Sequence, residues 1–577
     1  MALPAETCIF NGSKTHYYSF LPFMATTQTE KNSKHPKGLY YLFFSEMWER
    51  FGFYLMLAIF FLYMIDAQKG GLALPKAAAS DIFGTFIALV YLTPFLGGLL
   101  ADRVMGYRKA ISLGGILMGI GYCLLAVKGD LALYSALGLV IIGNGFFKPN
   151  ISTLLGNLYS EPQYAENKDS GYNIFYMGIN IGAFAAPFVA SYMRNTWGWG
   201  YAFAAAGIGM FLGVLIFWLG NKHYKHVDVL KPVEANDMSI SKILGIVILP
   251  AMLTGIAAWF FIPGSIFGSD STDAFLFGSL PIVFFYVSLW AKASAKDKKP
   301  IAAMLAIFGV VIIFWAIFKQ NGTALTTWAQ YYTDRSLPET LEKPAQALGM
   351  VQYVNTSPRT VEDYDQNFRT KTDAEGKVIT KEGVDPYLNN LPQEKWPAEG
   401  EDRPLISPEL FQSINPFFVV LLTPVVVAFF AMLRRNKKEP STPAKIGLGL
   451  LITAASTLVM VGAVFAANNG LEKSSAMWLV GSYAVITVGE LCLSPMGLSL
   501  VSKLSPPRLT ALMMGGWFLS TSIGNKLSGV LASLWDVYDH KQYFFLVNCA
   551  GALLAALAIF AMLKWLRNIV IAHTGKH

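Results

Sequence analysis

The stretch EMWERFGFYLML at 46–57 carries two carboxylates, a guanidinium and a phenol, Glu46, Glu49, Arg50 and Tyr54, spaced three, four and eight residues from the first. At 100° per residue they fall within about 140° of one helix face, so the four groups address one another. Two carboxylates beside one guanidinium leave a negative charge only partly compensated, which is chemistry for taking up and releasing a proton. The same charges would also serve as a structural ion-pair triad that locks the helix to its neighbours.

Groups like these need a scaffold, and composition says which kind. Of 577 residues, 54% are hydrophobic and 14% charged; soluble domains carry about a quarter of their residues as charged types, so this chain reads as a membrane protein. Disorder, collagen, coiled coil and a disulfide scaffold are excluded. Runs of about 20 apolar residues, long enough to cross ~30 Å of hydrocarbon, predict fourteen spanning helices. They lie at 38–65, 81–102, 107–127, 131–158, 171–193, 200–220, 241–263, 275–294, 301–332, 409–434, 443–467, 475–503, 508–534 and 541–567. A charged side chain at that depth is costly and faces protein or water, so the 46–50 cluster is a functional candidate by default.

Every second loop is basic, as in Arg103, Arg108 and Lys109, in Lys292 to Lys299, and in Arg434 to Lys438. Positive loops stay in the cytoplasm, which predicts cytoplasmic termini. The net charge of +8 therefore faces lipid headgroups and excludes nucleic acid as a partner. Cys8, Cys123, Cys492 and Cys549 are too scattered for a disulfide framework. No metalloprotease helix, nucleophile elbow or phosphate-cradling loop stands in a suitable context, so no enzyme, metal or cofactor is expected.

The predicted organisation is an N-terminal tail (1–37), a six-helix bundle (38–220), a linker with two further spans (221–300), a second six-helix bundle (301–567) and a tail (568–577). Residues 1–23 resemble neither a cleavable signal nor a helix. The second bundle is interrupted by a polar outer loop at 334–408, where GMVQYVN (349–355) and GKVITKEG (376–383) suggest a hairpin or two. Two six-helix halves around a midplane cavity are a common transporter plan. A binding module anchored by helices is the reading from another class, but an anchor has no need of intramembrane charges in both halves.

E-x-x-E-R-F followed by aromatics at 46–54 resembles the first-helix signature of the proton-dependent oligopeptide transporters, a branch of the major facilitator superfamily. Other landmarks follow in order: YLTPFLGGLLADRVMGYRK (91–109), GNGFFKPNIS (143–152), NIFYMGINIGAFAAP (173–187), FWAIFKQNGTAL (314–325), QSINP (412–416) and GELCLSPMGLSLVSKLSP (489–506). The two extra helices are similar to those of bacterial members. The resemblance implies an all-α major facilitator fold with 6+2+6 helices in the bacterial inner membrane. It implies a proton-coupled symporter that imports dipeptides and tripeptides by alternating access, with peptide-like drugs as further ligands.

What all short peptides share is an ammonium, a carboxylate and a backbone, so a general site needs one acid and one or more bases across a cavity. Carried over by motif, Glu490 faces the ammonium with Ser494 one turn on, and Asn180 and Asn415 bond the backbone or termini. Tyr54, Tyr91 and Lys148 address the carboxylate, while Trp315 and Trp517 line side-chain pockets. Each has a plainer reading as well: a snorkelling lysine for Lys148, a carboxylate paired within its own half for Glu490, and helix packing for the asparagines and tryptophans. Glu46, Glu49 and Arg50 carry the proton, and Asp102 and Arg103 form a gating or structural charge relay.

Two positions depart from the family pattern. A basic residue common one turn beyond the first signature is Leu57 here, and F-E-Q in the seventh helix of each twelve-helix core reads Phe318, Lys319, Gln320. The glutamate expected to pair with Lys148 across the halves has become a lysine, so a salt bridge of that kind cannot form. Lys319, with Gln320 next to it, is then expected to help bind substrate beside Lys148, unless Lys319 sits at another height and faces an outer vestibule. An uncoupled or differently coupled carrier of another small anionic or zwitterionic solute is the second reading.

Overall fold

A backbone surrounded by hydrocarbon has to bond to itself, and the apolar runs do so as helices. The computed structural model describes residues 35–164, 167–230, 239–365, 369–373, 378–506 and 509–574; residues 1–23 lie outside these. One bundle is built from α1 (Lys37–Ile65), α2 (Lys76–Leu100), α3 (Tyr107–Leu124), α4 (Asp130–Leu158), α5 (Lys168–Trp197) and α6 (Trp199–Leu219). A pair follows, α7 (Ser241–Phe261) and α8 (Asp270–Ala291). The second bundle comprises α9 (Ala295–Tyr331), α10 (Ile414–Arg435), α11 (Thr442–Ala466), α12 (Ala476–Leu504), α13 (Thr510–Ser533) and α14 (Lys541–Thr574). Twelve of these are long and apolar enough to cross a membrane, and α3 and α13 complete the bundles.

Two boundaries differ from the expectation. The Ser294 side chain accepts the Asp297 backbone N–H, an N-cap that starts α9 inside the expected linker. At the other end Leu566, Ile569 and Val570 pack against the second bundle's core, so the helix runs on through the tail expected from 568.

Gly, Ala and Pro shape the site-bearing helices. Pro149 follows Lys148 in α4 and Pro495 follows Ser494 in α12. Neither ring can donate to the carbonyl four residues back, so both helices lose a backbone bond beside a candidate residue. α9 breaks outright: Lys319–Gly322 tighten into a 3-10 turn before the helix resumes at Ala324.

The segment expected as an outer loop is a small folded cap. β1 (Thr333–Asp334) pairs in parallel with β6 (Ser474–Ser475), tying it to the α11–α12 turn. β2 (Val351–Val354) pairs antiparallel with β5 (Arg403–Ile406), and β3 (Arg359–Glu362) with β4 (Thr380–Gly383). Strands thus form at both expected patches, but the partner of 351–354 lies some fifty residues on, which local patterning does not reveal. Val354, Tyr387, Leu388, Leu391 and Leu405 make the cap's own core.

At the capped end the two bundles are closed on each other. A Cβ on Gly84 of α2 would lie 2.9 Å from the Cα of Gly529 of α13, a backbone approach that only glycine permits. Beside it, buried Lys526 donates to Asp81 (2.6 Å), to Thr85 (2.6 Å) and to Ser271 of α8 (2.7 Å). Gly529→Leu is expected to cost about 1–3 kcal/mol by overpacking, measured as a lower Tm in detergent; an unchanged Tm would mean the contact yields.

Candidate functional site

On α1 the triad is buried and joined. Arg50 Nε lies 2.9 Å from Glu46 Oε1 and 2.6 Å from Glu49 Oε2, and Glu49 is fully buried. The unit holds two acids and one base away from bulk water; with both acids ionised, its net negative charge is left to more distant cations. One of these is Lys148 on α4, whose charge acts on Glu49. Leu57, at the departed position, is buried in the apolar core of the first bundle.

The second cluster straddles the bundles. Lys148 Nζ stands 4.3 Å from the centre of the Tyr91 ring, and Lys319 Nζ, from the break in α9, stands 5.5 Å from the same ring. Lys319 therefore shares the depth of Lys148 instead of facing a separate vestibule. It also lies 6.0 Å from the Trp315 ring and 5.7 Å from that of Phe318. Among the described residues, neither ammonium has a carboxylate within ion-pair distance. Aromatic faces hold cations by their quadrupole without neutralising them, so both charges remain available to an anion.

The acid on the other side is Glu490 of α12. Asn415 Nδ2 donates to its Oε2 (3.2 Å) and to Thr487 Oγ1 (2.9 Å), which fixes the carboxylate's direction. Lys319's charge acts on Glu490, and Arg50, Tyr91, Tyr176 and Glu490 all act on Tyr54. One centre thus gathers Tyr54, Tyr91 and Lys148 with Lys319, Asn415 and Glu490. Ser494 Oγ is buried and has no hydrogen-bond partner among the described residues.

The other expected residues make protein contacts of their own. Gln320 is buried, and its amide donates to Ala316 O (3.1 Å) and Ser528 O (2.9 Å), bracing the α9 break against α13. Asn180 donates to Tyr176 O on its own helix (3.0 Å). Trp517 packs against Gly497 and Phe308 inside the second bundle, a core position; Trp315 is buried, and its indole N–H has no hydrogen-bond partner among the described residues. Asp102 accepts the Tyr107 hydroxyl (2.6 Å), and with Arg103 it lies in the π-helical turn Ala101–Met105 at the basic end of α2.

Two further charge pairs lie outside the residues that the sequence singles out. Lys526 falls within the expected span 508–534 and met the test of an intramembrane charge; Asp81 opens the second span. Arg194 Nη1 of α5 lies 3.2 Å from buried Glu409, at span edges where snorkelling is the default assumption.

A model of the POT family matches residues 108–355 and 403–547. Among curated proteins, the chain is 30% identical to a di-/tripeptide transporter of Lactococcus lactis subsp. cremoris, covering 91% of this chain and 94% of that one. It is 30% identical to the peptide transporter YePEPT of Yersinia enterocolitica, covering 92% and 94%. Among solved structures, a peptide transporter POT in complex with sulfate superposes with a TM-score of 0.70 at 29% identity, over 93% of this chain and 96% of that one. A POT family transporter in complex with 5-aminolevulinic acid gives 0.71 at 26% identity, over 92% and 96%.

Proposed function

The chain belongs to the POT family, and from that premise we propose that it carries dipeptides and tripeptides across the membrane by alternating access, driven by protons. It is a multi-pass protein of the bacterial inner membrane with the major facilitator fold, and it is a transporter, not an enzyme. The basic loops support an orientation with the cap outside and both termini in the cytoplasm.

The observation that carries the reading is the central cluster, where Lys148 of one bundle and Lys319 of the other both stand over the Tyr91 ring and the charge of Lys319 reaches an oriented Glu490. In this account Glu490 pairs with the peptide ammonium, and Lys148, Lys319 and Tyr91 receive the carboxylate. Aromatic walls with few polar anchors tolerate many side chains, so peptide-like drugs enter on the same terms. A substrate gripped from both halves draws them together, which is how binding biases a two-state carrier.

Proton coupling follows from the field that links the two clusters. Lys148 stabilises charged Glu49. A substrate carboxylate at Lys148 cancels that field, so peptide at Lys148 and a proton on Glu49 favour each other, and the linkage is reciprocal. Protonating one carboxylate also makes the buried triad neutral, which lowers the cost of closing dry helices around it.

Lys319→Ala is expected to weaken dipeptide binding by about tenfold or more, the scale of a lost hydrogen bond to a charged group. An unchanged Kd by calorimetry would remove Lys319 from the site. The second reading, a carrier with lost or altered coupling, is favoured by the lysine in place of glutamate, and the proton-gradient experiment separates the two.

A further inference from the structure

We infer that Tyr122 of α3 and Asn144 of α4 are positioning residues for the proton step, holding a small hydrated chamber behind Glu49. Three elements converge there. Tyr122 is fully buried and its hydroxyl makes no hydrogen bond among the described residues. Its ring lies against α1 at Gly52, where a Cβ would meet its edge at 3.2 Å, and the charges of Glu49 and Arg50 act on it. Asn144 is equally buried, and among the described residues neither of its amide atoms has a hydrogen-bond partner. It sits one turn before Lys148 on the face of α4 whose charge reaches Glu49.

The α1 side of the chamber repeats the pattern. Among the described residues Ser45 Oγ, one turn before Glu49, is buried without a hydrogen-bond partner, and so are Glu46 Oε2, Glu49 Oε1 and Arg50 Nη2. Buried polar atoms in folded proteins are almost always hydrogen-bonded, to protein or to internal water. So many orphans around one carboxylate, from three helices, define a place that water fills. The groups facing Glu49 are Arg50 and Glu46 on its own helix, Tyr122 on α3 and Lys148 on α4; α6 contributes Gly213 against the Ser45 carbonyl and the Glu49 amide. A phenol and an amide can each donate and accept, so they bind such water whether Glu49 is charged or neutral.

This inference rests on Glu49 as a proton site, and the test separates the two claims. Glu49→Gln, Tyr122→Phe and Asn144→Val would be compared in proteoliposomes for dialanine accumulation under an imposed proton gradient across a range of external pH, with counterflow alongside. Infrared difference spectroscopy across the same titration would follow the protonated carboxyl band that Glu49→Gln removes. Tyr122→Phe deletes one oxygen and keeps the ring. It and Asn144→Val are expected to displace the pH profile by about one unit, to lower the ratio of accumulation to counterflow about tenfold and to shift that band. A wild-type profile and band in both variants, with accumulation lost in Glu49→Gln, overturns the chamber and leaves the proton site standing. Equal loss of accumulation and counterflow at an unshifted profile and band makes the two residues structural and also overturns the chamber. Gradient-driven accumulation retained by Glu49→Gln overturns both claims.

Discussion

A disulfide formed between Asn195→Cys and Ser407→Cys is expected to abolish transport, and reductant is expected to restore it. Asn195 Nδ2 lies 2.7 Å from Ser407 Oγ, so the two side chains meet across the seam that the cross-link would tie. Asn195 belongs to α5 of the first bundle, whereas Ser407 ends the cap, which belongs to the second. The same seam holds the Arg194–Glu409 pair, with Arg194 stacked 4.9 Å over Trp199, and a bond from Ser413 Oγ to Phe184 O (3.1 Å). Between cap and bundle lies a cavity of about 170 Å³ lined by polar and charged groups that include Asp66, Lys69 and Asp385. A polar, hydrated seam separates more readily than a dry apolar one, and alternating access requires this end to open once per cycle. Substrate uptake at the wild-type rate by the oxidised double variant would show that the seam never opens.

Glu490→Gln is expected to cost the most in substrate binding of any single substitution. It keeps shape and the Asn415 contact geometry but removes the charge proposed to meet the ammonium. Losing one member of a desolvated charge pair costs about 2–5 kcal/mol, so dialanine affinity should fall roughly 30-fold or more. Calorimetry on purified protein measures it directly. An affinity within twofold of wild type would place the ammonium elsewhere.

The fourteen helices were legible because a membrane imposes one rule on every span: enough apolar length, with backbone bonds closed internally. Their limits at Ser294 and near the C-terminus were not, since a cap and a continued packing face carry little hydropathy. The cap's β2–β5 pairing was hidden for another reason: strands 351–354 and 403–406 meet through tertiary packing, and nothing local to either names the other. In the site, the Glu46, Glu49 and Arg50 constellation follows from helical spacing alone, and the structure joins them as spacing demands. Lys148 and Lys319 come from helices 170 residues apart, and only the break in α9 brings the second to Tyr91. Gln320 and Trp517 show the converse. Their motif positions match the family, but the break turns Gln320 toward Ser528 and the second bundle's core takes up Trp517. Tyr122 carried no sequence signal and Asn144 stood in the GNGFFKPNIS landmark without a role of its own, because a lone buried tyrosine or asparagine in an apolar run reads as packing until its partners are known to be missing.

The central claim is that this cluster couples peptide movement to protons although Lys319 stands where an acid is common. The most direct measurement is uptake of labelled dialanine into proteoliposomes with and without an imposed inward proton gradient, for wild type and Lys319→Glu. The account predicts accumulation above the external concentration only with the gradient, in wild type as it stands, because the proton rides on Glu49 and not on residue 319. Uptake that merely equilibrates in wild type while Lys319→Glu accumulates would contradict it.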